Sequence, residues 1–361
     1  MNRRLFVAGG FAGAVASALP QASGPAARAA VLNQQPGMKY RPLGNAGISL
    51  SVISNGGLVA VESVIAYAID KGVNLVHVAE PYLNGRSIVT LGNVLKTKRD
   101  KVYIAIKDDF RDLDVCLKAL NTDHVDFIMF NRHTPGEVND PRMREAFEKY
   151  KQAGKVRWAG LTCHGAVKET TAAAIQAGWF SLVQPSLNQP ALESMQEELR
   201  LAQQKGVGIM PMKTMRGING LDMQAAFLKK VLAVPSVVTV VKGLESFEMF
   251  DAFLKASNEP LTAWEDKSLY RYAQVNRARN CMACGECQAA CPDGVETPAI
   301  LRAKDYYHAQ CGDFQLASET YNSLGATGSA RCADCSACEQ ACPNGVKIRE
   351  HLAEAQRLFA V

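Results

Sequence analysis

No N-terminal or internal feature of this 361-residue chain reads as a stable membrane span. The apolar stretch Leu5 to Leu19 is rich in Gly and Ala and stops at Pro20, while a spanning helix needs about 20 apolar residues. Charge of one sign is also scarce. The formal net charge is +5, and losing a leader through Ala29 would remove Arg3, Arg4 and Arg28 and no acid, so 5 − 3 leaves +2. A chain so close to neutral gives no electrostatic basis for nucleic-acid binding. There is no flavin motif. What remains is a polypeptide long enough for more than one small domain, with an ordinary hydrophobic share of 48%.

Cysteine is where the chain is rich. Eight of its eleven cysteines fall in two runs: Cys281, Cys284, Cys287, Cys291-Pro292, then Cys332, Cys335, Cys338, Cys342-Pro343. Each run reads C-x-x-C-x-x-C-x-x-x-C-P, the spacing of bacterial two-cluster ferredoxins. A [4Fe–4S] cube takes four thiolates, and two-residue gaps let one loop wrap three irons. The fourth thiolate must come from another direction, so the last cysteine of each run is expected to cross over. This assigns Cys281, Cys284, Cys287 and Cys342 to one cluster, and Cys332, Cys335, Cys338 and Cys291 to the other. Zinc ribbons lack the third cysteine and the C-P ending, and disulfides have no reason to repeat the spacing. Each oxidised cluster adds about −2 with its thiolates, which brings the mature protein near neutrality. Cys116 lies in a helical pattern and is expected to be buried packing. Cys311 has no assigned role.

The first 30 residues read as a leader. Arg3-Arg4-Leu5-Phe6 precedes the apolar stretch, and Ala27-Arg28-Ala29 is a small-x-small cleavage candidate. The arginine pair resembles a twin-arginine (Tat) export signal, a route that carries folded, cluster-loaded proteins. The expected location is the periplasm.

Residues 31–260 alternate strand and helix patterns. Met38 to Val52 reads as a hairpin with its turn at Gly44-Asn45-Ala46-Gly47. Eight β-rich runs follow: 51–54, 74–79, 102–107, 125–130, 156–162, 181–186, 208–213 and 237–243. Helical patterns intervene, at 63–71, 143–153, 193–205 and 247–255. The fold class is α/β: a parallel (β/α)₈ TIM barrel, then a small, α-rich, ferredoxin-like domain over 261–361. Barrel chemistry sits at the C-terminal strand ends. Those ends offer His77, Tyr82, Lys107, Asn131, His133, Thr162, Cys163, His164, Gln184 and Lys213. His77, His133, Cys163 and His164 form a possible metal-ligand set, although single histidines there are more often polar liners. The polar-aromatic segment 297–330 is expected to cover the clusters.

Met38-Lys-Tyr-Arg-Pro-Leu-Gly-Asn-Ala-Gly, Gly72-Val-Asn-Leu-Val-His-Val-Ala-Glu-Pro-Tyr82 and Asp123-His-Val-Asp-Phe127 resemble the aldo/keto reductase family. The likeness is to its branch with a C-terminal pair of [4Fe–4S] clusters. The resemblance implies a proton relay in which Tyr82 protonates a carbonyl oxygen and Lys107 lowers the phenol's pKa. His77 stands where the family has an aspartate, and Asn131 where it has a histidine. Gln184 and Thr162 match residues that hold the nicotinamide. Leu187 replaces the stacking tyrosine, Glu245 a phosphate-gripping base, and Ala252 an adenine contact. NADP is thus a possible cofactor, but tight binding is not expected. The expected activity is an oxidoreductase that passes electrons through the clusters between a redox protein and a small molecule at the barrel mouth. The alternatives are an NADP-dependent aldo/keto reductase with attached clusters and a non-catalytic electron carrier or docking protein.

Overall fold

The computed structural model describes residues 29–44, 46–279, 281–310 and 312–360. Residues 1–28 of the leader expected over 1–30, and Cys311, lie outside these. Among the described residues no helix is long and apolar enough to cross a membrane.

Eight parallel strands make the barrel: Ile53–Gly56, Leu75–Val78, Tyr103–Lys107, Phe127–Asn131, Trp158–Cys163, Leu182–Pro185, Gly208–Ile209 and Val240–Lys242. Each pairs with its neighbour in chain order, and the eighth pairs with the first. The ring closes between the seventh and eighth through a bridge from Ile209 to Val237 and the bond from Val238 N–H to the Ile209 carbonyl (3.0 Å). Side chains alternate across each strand. One set, including Leu75, Tyr103, Phe127, Met129, Leu182 and Met210, fills the interior. The other, including Val76, Ile104, Ile128, Leu161 and Val183, packs under the helices. Cys163 belongs to this second set, as does Cys116.

Three details differ from the sequence reading. The first strand starts at Ile53, because Ser51 is still in the hairpin, opposite Tyr40. The seventh strand has only two residues, because Pro211 lacks an N–H and Lys213 turns into the left-handed region (φ 55°). The helix expected over 193–205 is two helices, Gln189–Ser194 and Gln196–Lys205.

The hairpin closes the bottom of the barrel. Its Leu43, Ile48 and Leu50 join the interior cluster. Asn74 fastens it, donating to the Leu32 (2.9 Å) and Ser49 (3.0 Å) carbonyls and accepting from Ser51 N–H (2.7 Å). The opposite end is covered by the cysteine domain, and the functional groups lie there.

Candidate functional site

The two cysteine runs fold alike. Each opens with a left-handed residue two positions after its first cysteine, Ala283 (φ 56°) and Asp334 (φ 57°). Each has another directly after its second, Gly285 (φ 90°) and Ser336 (φ 68°). These reversals curl the loop around a centre. A one-turn helix follows, Glu286–Ala289 or Ala337–Gln340.

Cys281, Cys284, Cys287 and Cys342 line one cavity of about 360 Å³. Cys291, Cys332, Cys335 and Cys338 line another of about 320 Å³. The last cysteine of each run therefore sits with the other run. All eight thiols are free. Backbone N–H groups donate to three of the sulfurs: Ala283 to Cys281 (3.3 Å), Val295 to Cys291 (3.4 Å) and Val346 to Cys342 (3.4 Å). Four thiols around a space with inward N–H donors is the donor set that an iron–sulfur cube takes. Among the described residues no three His, Cys, Asp or Glu side chains converge on a single metal ion.

The barrel mouth lies against these sites. Tyr82 and Ala79, from the loop after the second strand, are buried in one apolar cluster with Cys287, Cys338, Ile300 and Tyr306. Helix Thr297–Asp305 runs into a π turn, Tyr306–Gln310, above the mouth. One face of this helix borders a cysteine cavity through Pro298 and Leu301. The other faces the barrel through Arg302, Asp305 and Tyr306. The segment covers both the cysteine site and the mouth, a wider role than the sequence reading gave it. Asn188 Nδ2 adds a direct tie, donating to the Cys281 carbonyl (2.8 Å).

Tyr82, Lys107 and His77 meet at the mouth. Lys107 Nζ is 5.5 Å from the Tyr82 ring centre, and the His77 and Tyr82 rings are 6.3 Å apart. Burial pushes the Tyr82 phenol above its ordinary pKa, while Lys107 pulls against that rise. Burial disfavours the Lys107 charge, but Tyr82 and Asp109 outweigh it and raise the ammonium's pKa. His77 is buried, and burial followed by the nearby Lys107 charge pushes it down to about 3. It is neutral, and its Nε2 has no hydrogen-bond partner. His77 therefore does not take the aspartate's place. Asp109, two residues beyond Lys107, has Oδ2 3.9 Å from Nζ and supplies the missing negative charge.

Asn131 ends the fourth strand, its N–H bound to Asp108 (2.7 Å) and its buried Oδ1 without a partner. His133 Nδ1 accepts from the His164 N–H (3.1 Å), and its Nε2 meets Arg302 at 3.1 Å. Burial and Arg302 push His133 down to about 3. Cys163 points away from these histidines toward Thr171 (3.7 Å), and burial pushes its thiol up to about 12. It is not part of a metal set.

An open cavity lies over the mouth, reaching from Tyr82 and His77 past Gln184 and Lys213 to Glu245. Gln184 Oε1 and His164 Nε2 line it, both buried and without a partner. Thr162 does not line it: its hydroxyl meets Met212 sulfur at 3.8 Å. Glu245 is paired with Lys242 (3.2 Å). Leu187 is fully buried.

Residues 59–221 match the aldo/keto reductase family, and residues 271–346 match the 4Fe-4S dicluster domain. The chain joins an aldo/keto reductase domain to a 4Fe-4S dicluster domain. Solved structures agree on the barrel. An aldo-keto reductase from Bacillus halodurans in its holo form is 20% identical at a TM-score of 0.52, covering 65% of this chain and 96% of its own. One from Klebsiella pneumoniae in complex with NADP and acetate is 20% identical at 0.53, covering 63% and 93%. The thermostable aldo-keto reductase Tm1743, with the inhibitor epalrestat, is 20% identical at 0.53, covering 65% and 100%. At such identities the likeness establishes the fold of the aldo/keto reductase domain.

Of the residues expected from sequence, the structure brings Tyr82, Lys107, His77 and Gln184 together at the mouth and the eight cysteines around two cavities. Sequence reasoning named Asn131 as well, at the end of the fourth strand. It missed Asp109, Arg216, Arg302 and Asp305. Only Asp109 left a local signal, a carboxylate just past a strand-end lysine. The others matter because two domains meet, which spacing along one chain does not reveal.

Proposed function

We propose that this chain is an exported iron–sulfur oxidoreductase of the aldo/keto reductase type, with its substrate site at the barrel mouth. The observation that carries this reading is the burial of Tyr82 in the same apolar cluster as Cys287 and Cys338. A proton donor and two cluster ligands share one core. We assign one [4Fe–4S] cluster to Cys281, Cys284, Cys287 and Cys342, and a second to Cys291, Cys332, Cys335 and Cys338. One-electron transfer is the chemistry that bound clusters supply. Cys335 is exposed, and its edge is the proposed docking side for a redox protein.

The barrel residues handle binding and protons. Tyr82 gives a proton to the substrate oxygen. Lys107 stabilises the phenolate that forms, and Asp109 keeps Lys107 charged. His77 and Gln184 offer polar atoms to the bound molecule. The Klebsiella relative is in complex with NADP. Glu245 at the far end of the cavity is paired with Lys242, and the pair offers no net positive charge to grip a phosphate, so NADP is not proposed as the tight-binding reductant. The proposal of export rests on the arginine pair and apolar stretch at the N-terminus, and the proposed location is the periplasm. Signal-peptide fusion to a Tat-dependent reporter tests that part.

The mouth is tested with Tyr82→Phe and Lys107→Ala, assayed for reduction of candidate carbonyl compounds under a low-potential reductant. Loss of turnover by about 10²–10⁴-fold in Tyr82→Phe is expected for a missing proton donor. Full turnover in both variants contradicts the reading.

A further inference from the structure

The mouth holds two tyrosine–lysine pairs, not one. Lys107 Nζ lies 5.5 Å from the Tyr82 ring centre, and Lys213 Nζ lies 5.8 Å from the Tyr306 ring centre. Tyr82, Tyr306 and Lys213 all line the same large cavity. Tyr82 comes from the barrel and Tyr306 from the cysteine domain. The second pair is held by ion pairs: Asp305, next to Tyr306, has Oδ1 2.6 Å from Arg216 and Oδ2 3.8 Å from Lys213. Apolar walls complete the cavity at Leu58, Val59, Met212 and Ile218. His77 Nε2 and Gln184 Oε1 wait there without partners.

We propose that the mouth takes a substrate with two carbonyl oxygens on one flat ring, a quinone, with Tyr82 addressing one oxygen and Tyr306 the other. This rests on the reading of Tyr82 as the proton donor and names the substrate class for that site. The chemistry of the two domains favours it. A simple ketone needs two electrons nearly together, and an isolated one-electron product is costly. A quinone accepts electrons singly. Reduction balances as quinone plus two electrons plus two protons giving the quinol. Both C=O double bonds become C–O single bonds, and two O–H bonds form. The O–H bonds of Tyr82 and Tyr306 break, and solvent in the cavity that both tyrosines line returns the two protons. The electrons come one at a time from a reduced one-electron carrier protein.

The test is equilibrium binding to the oxidised, cluster-loaded full chain, measured by titration calorimetry. Duroquinone is the probe, because its methyl groups block thiol addition. A tetramethylcyclohexanone, similar in size with one carbonyl, is the comparison. Duroquinone is expected to bind about tenfold tighter, the size of one added hydrogen bond. Tyr306→Phe should abolish that preference and leave the monoketone unchanged. Tyr82→Phe should weaken both. Lys213→Met, which spares the buried ring, should weaken duroquinone alone. Equal affinities for the two probes, or a Tyr306→Phe variant that keeps the preference or weakens both probes alike, overturn the quinone proposal. Failure of Tyr82→Phe to affect either probe overturns the mouth reading beneath it.

Discussion

Arg216 Nη2 lies 2.6 Å from Asp305 Oδ1, and this ion pair ties the loop after the seventh barrel strand to the helix of the cysteine domain. Asp305 is buried. Its other oxygen faces Lys213, 3.8 Å away. One carboxylate thus offsets two cations where the domains meet. Burial pushes Lys213 down to about 7, and Asp305 is the main charge opposing that fall.

Asp305→Asn should therefore loosen the junction. Removing one partner of a buried pair leaves charge uncompensated and costs about 3–5 kcal/mol. The check is the denaturant midpoint of the cluster-loaded protein, with the Tyr82 environment followed by NMR. An unchanged midpoint and an unchanged Tyr82 signal would show that the pair does not hold the domains together.

Much of this architecture was legible along the chain. Barrel strands carry a pattern of short β-rich runs separated by helical stretches that close on glycine, as at Gly178 and Gly206, and cluster ligands keep fixed spacing because one loop must wrap one cube. Tyr82 and Lys107 follow from their strand ends. Asp305, Arg302 and Tyr306 were not legible as mouth residues. Their roles depend on where a helix more than 50 residues beyond the last barrel strand (Val240–Lys242, against Thr297–Asp305) comes to rest. The local pattern gives a helix and says nothing of what it covers. His77 stands at the aspartate's position with a neutral, buried imidazole that supplies no charge, and the carboxylate that does, Asp109, sits where the family position does not point.

The crossed ligand sets predict a crossed mutant phenotype. Cys342→Ser, in the second run, should perturb the cluster bound by the first run. Cys291→Ser, in the first run, should perturb the other. Each variant should fall from about eight irons per chain toward about four, as expected for two cubes of which one is lost. Iron analysis with EPR of the reduced protein reads this out. A Cys342→Ser variant whose residual signal is that left by Cys332→Ser would contradict the crossing.

Asp109 should matter to protons more than to folding. It is only partly buried, so its removal costs little stability. Asp109→Asn removes a charge that raises the Lys107 pKa. Lys107 then loses its proton at lower pH, and the alkaline limb of the turnover profile should move toward neutral. Asp109→Glu should restore much of it. A profile unchanged in Asp109→Asn would assign the lysine's support elsewhere.

His77 should make the protein acid-sensitive. Its folded pKa is about 3 against 6.5 unfolded. Below pH 6.5 the unfolded imidazole takes up a proton that the folded one refuses, so stability falls as pH drops from 6.5 toward 3. At pH 5 this one group should cost about 2 kcal/mol relative to pH 7. Comparing denaturation midpoints of wild type and His77→Phe at the two pH values isolates the term. Equal losses in both would remove His77 from the explanation.

The central claim is that electrons for the barrel mouth come through the cysteine domain, not from nicotinamide. A reductive titration of the purified, cluster-loaded protein, followed by EPR, tests it most directly. Dithionite or a reduced carrier protein should reduce the clusters, and NADPH alone should leave them oxidised even at millimolar concentration. Rapid cluster reduction by NADPH would contradict the account and make the mouth a working nicotinamide site despite Glu245 and Leu187.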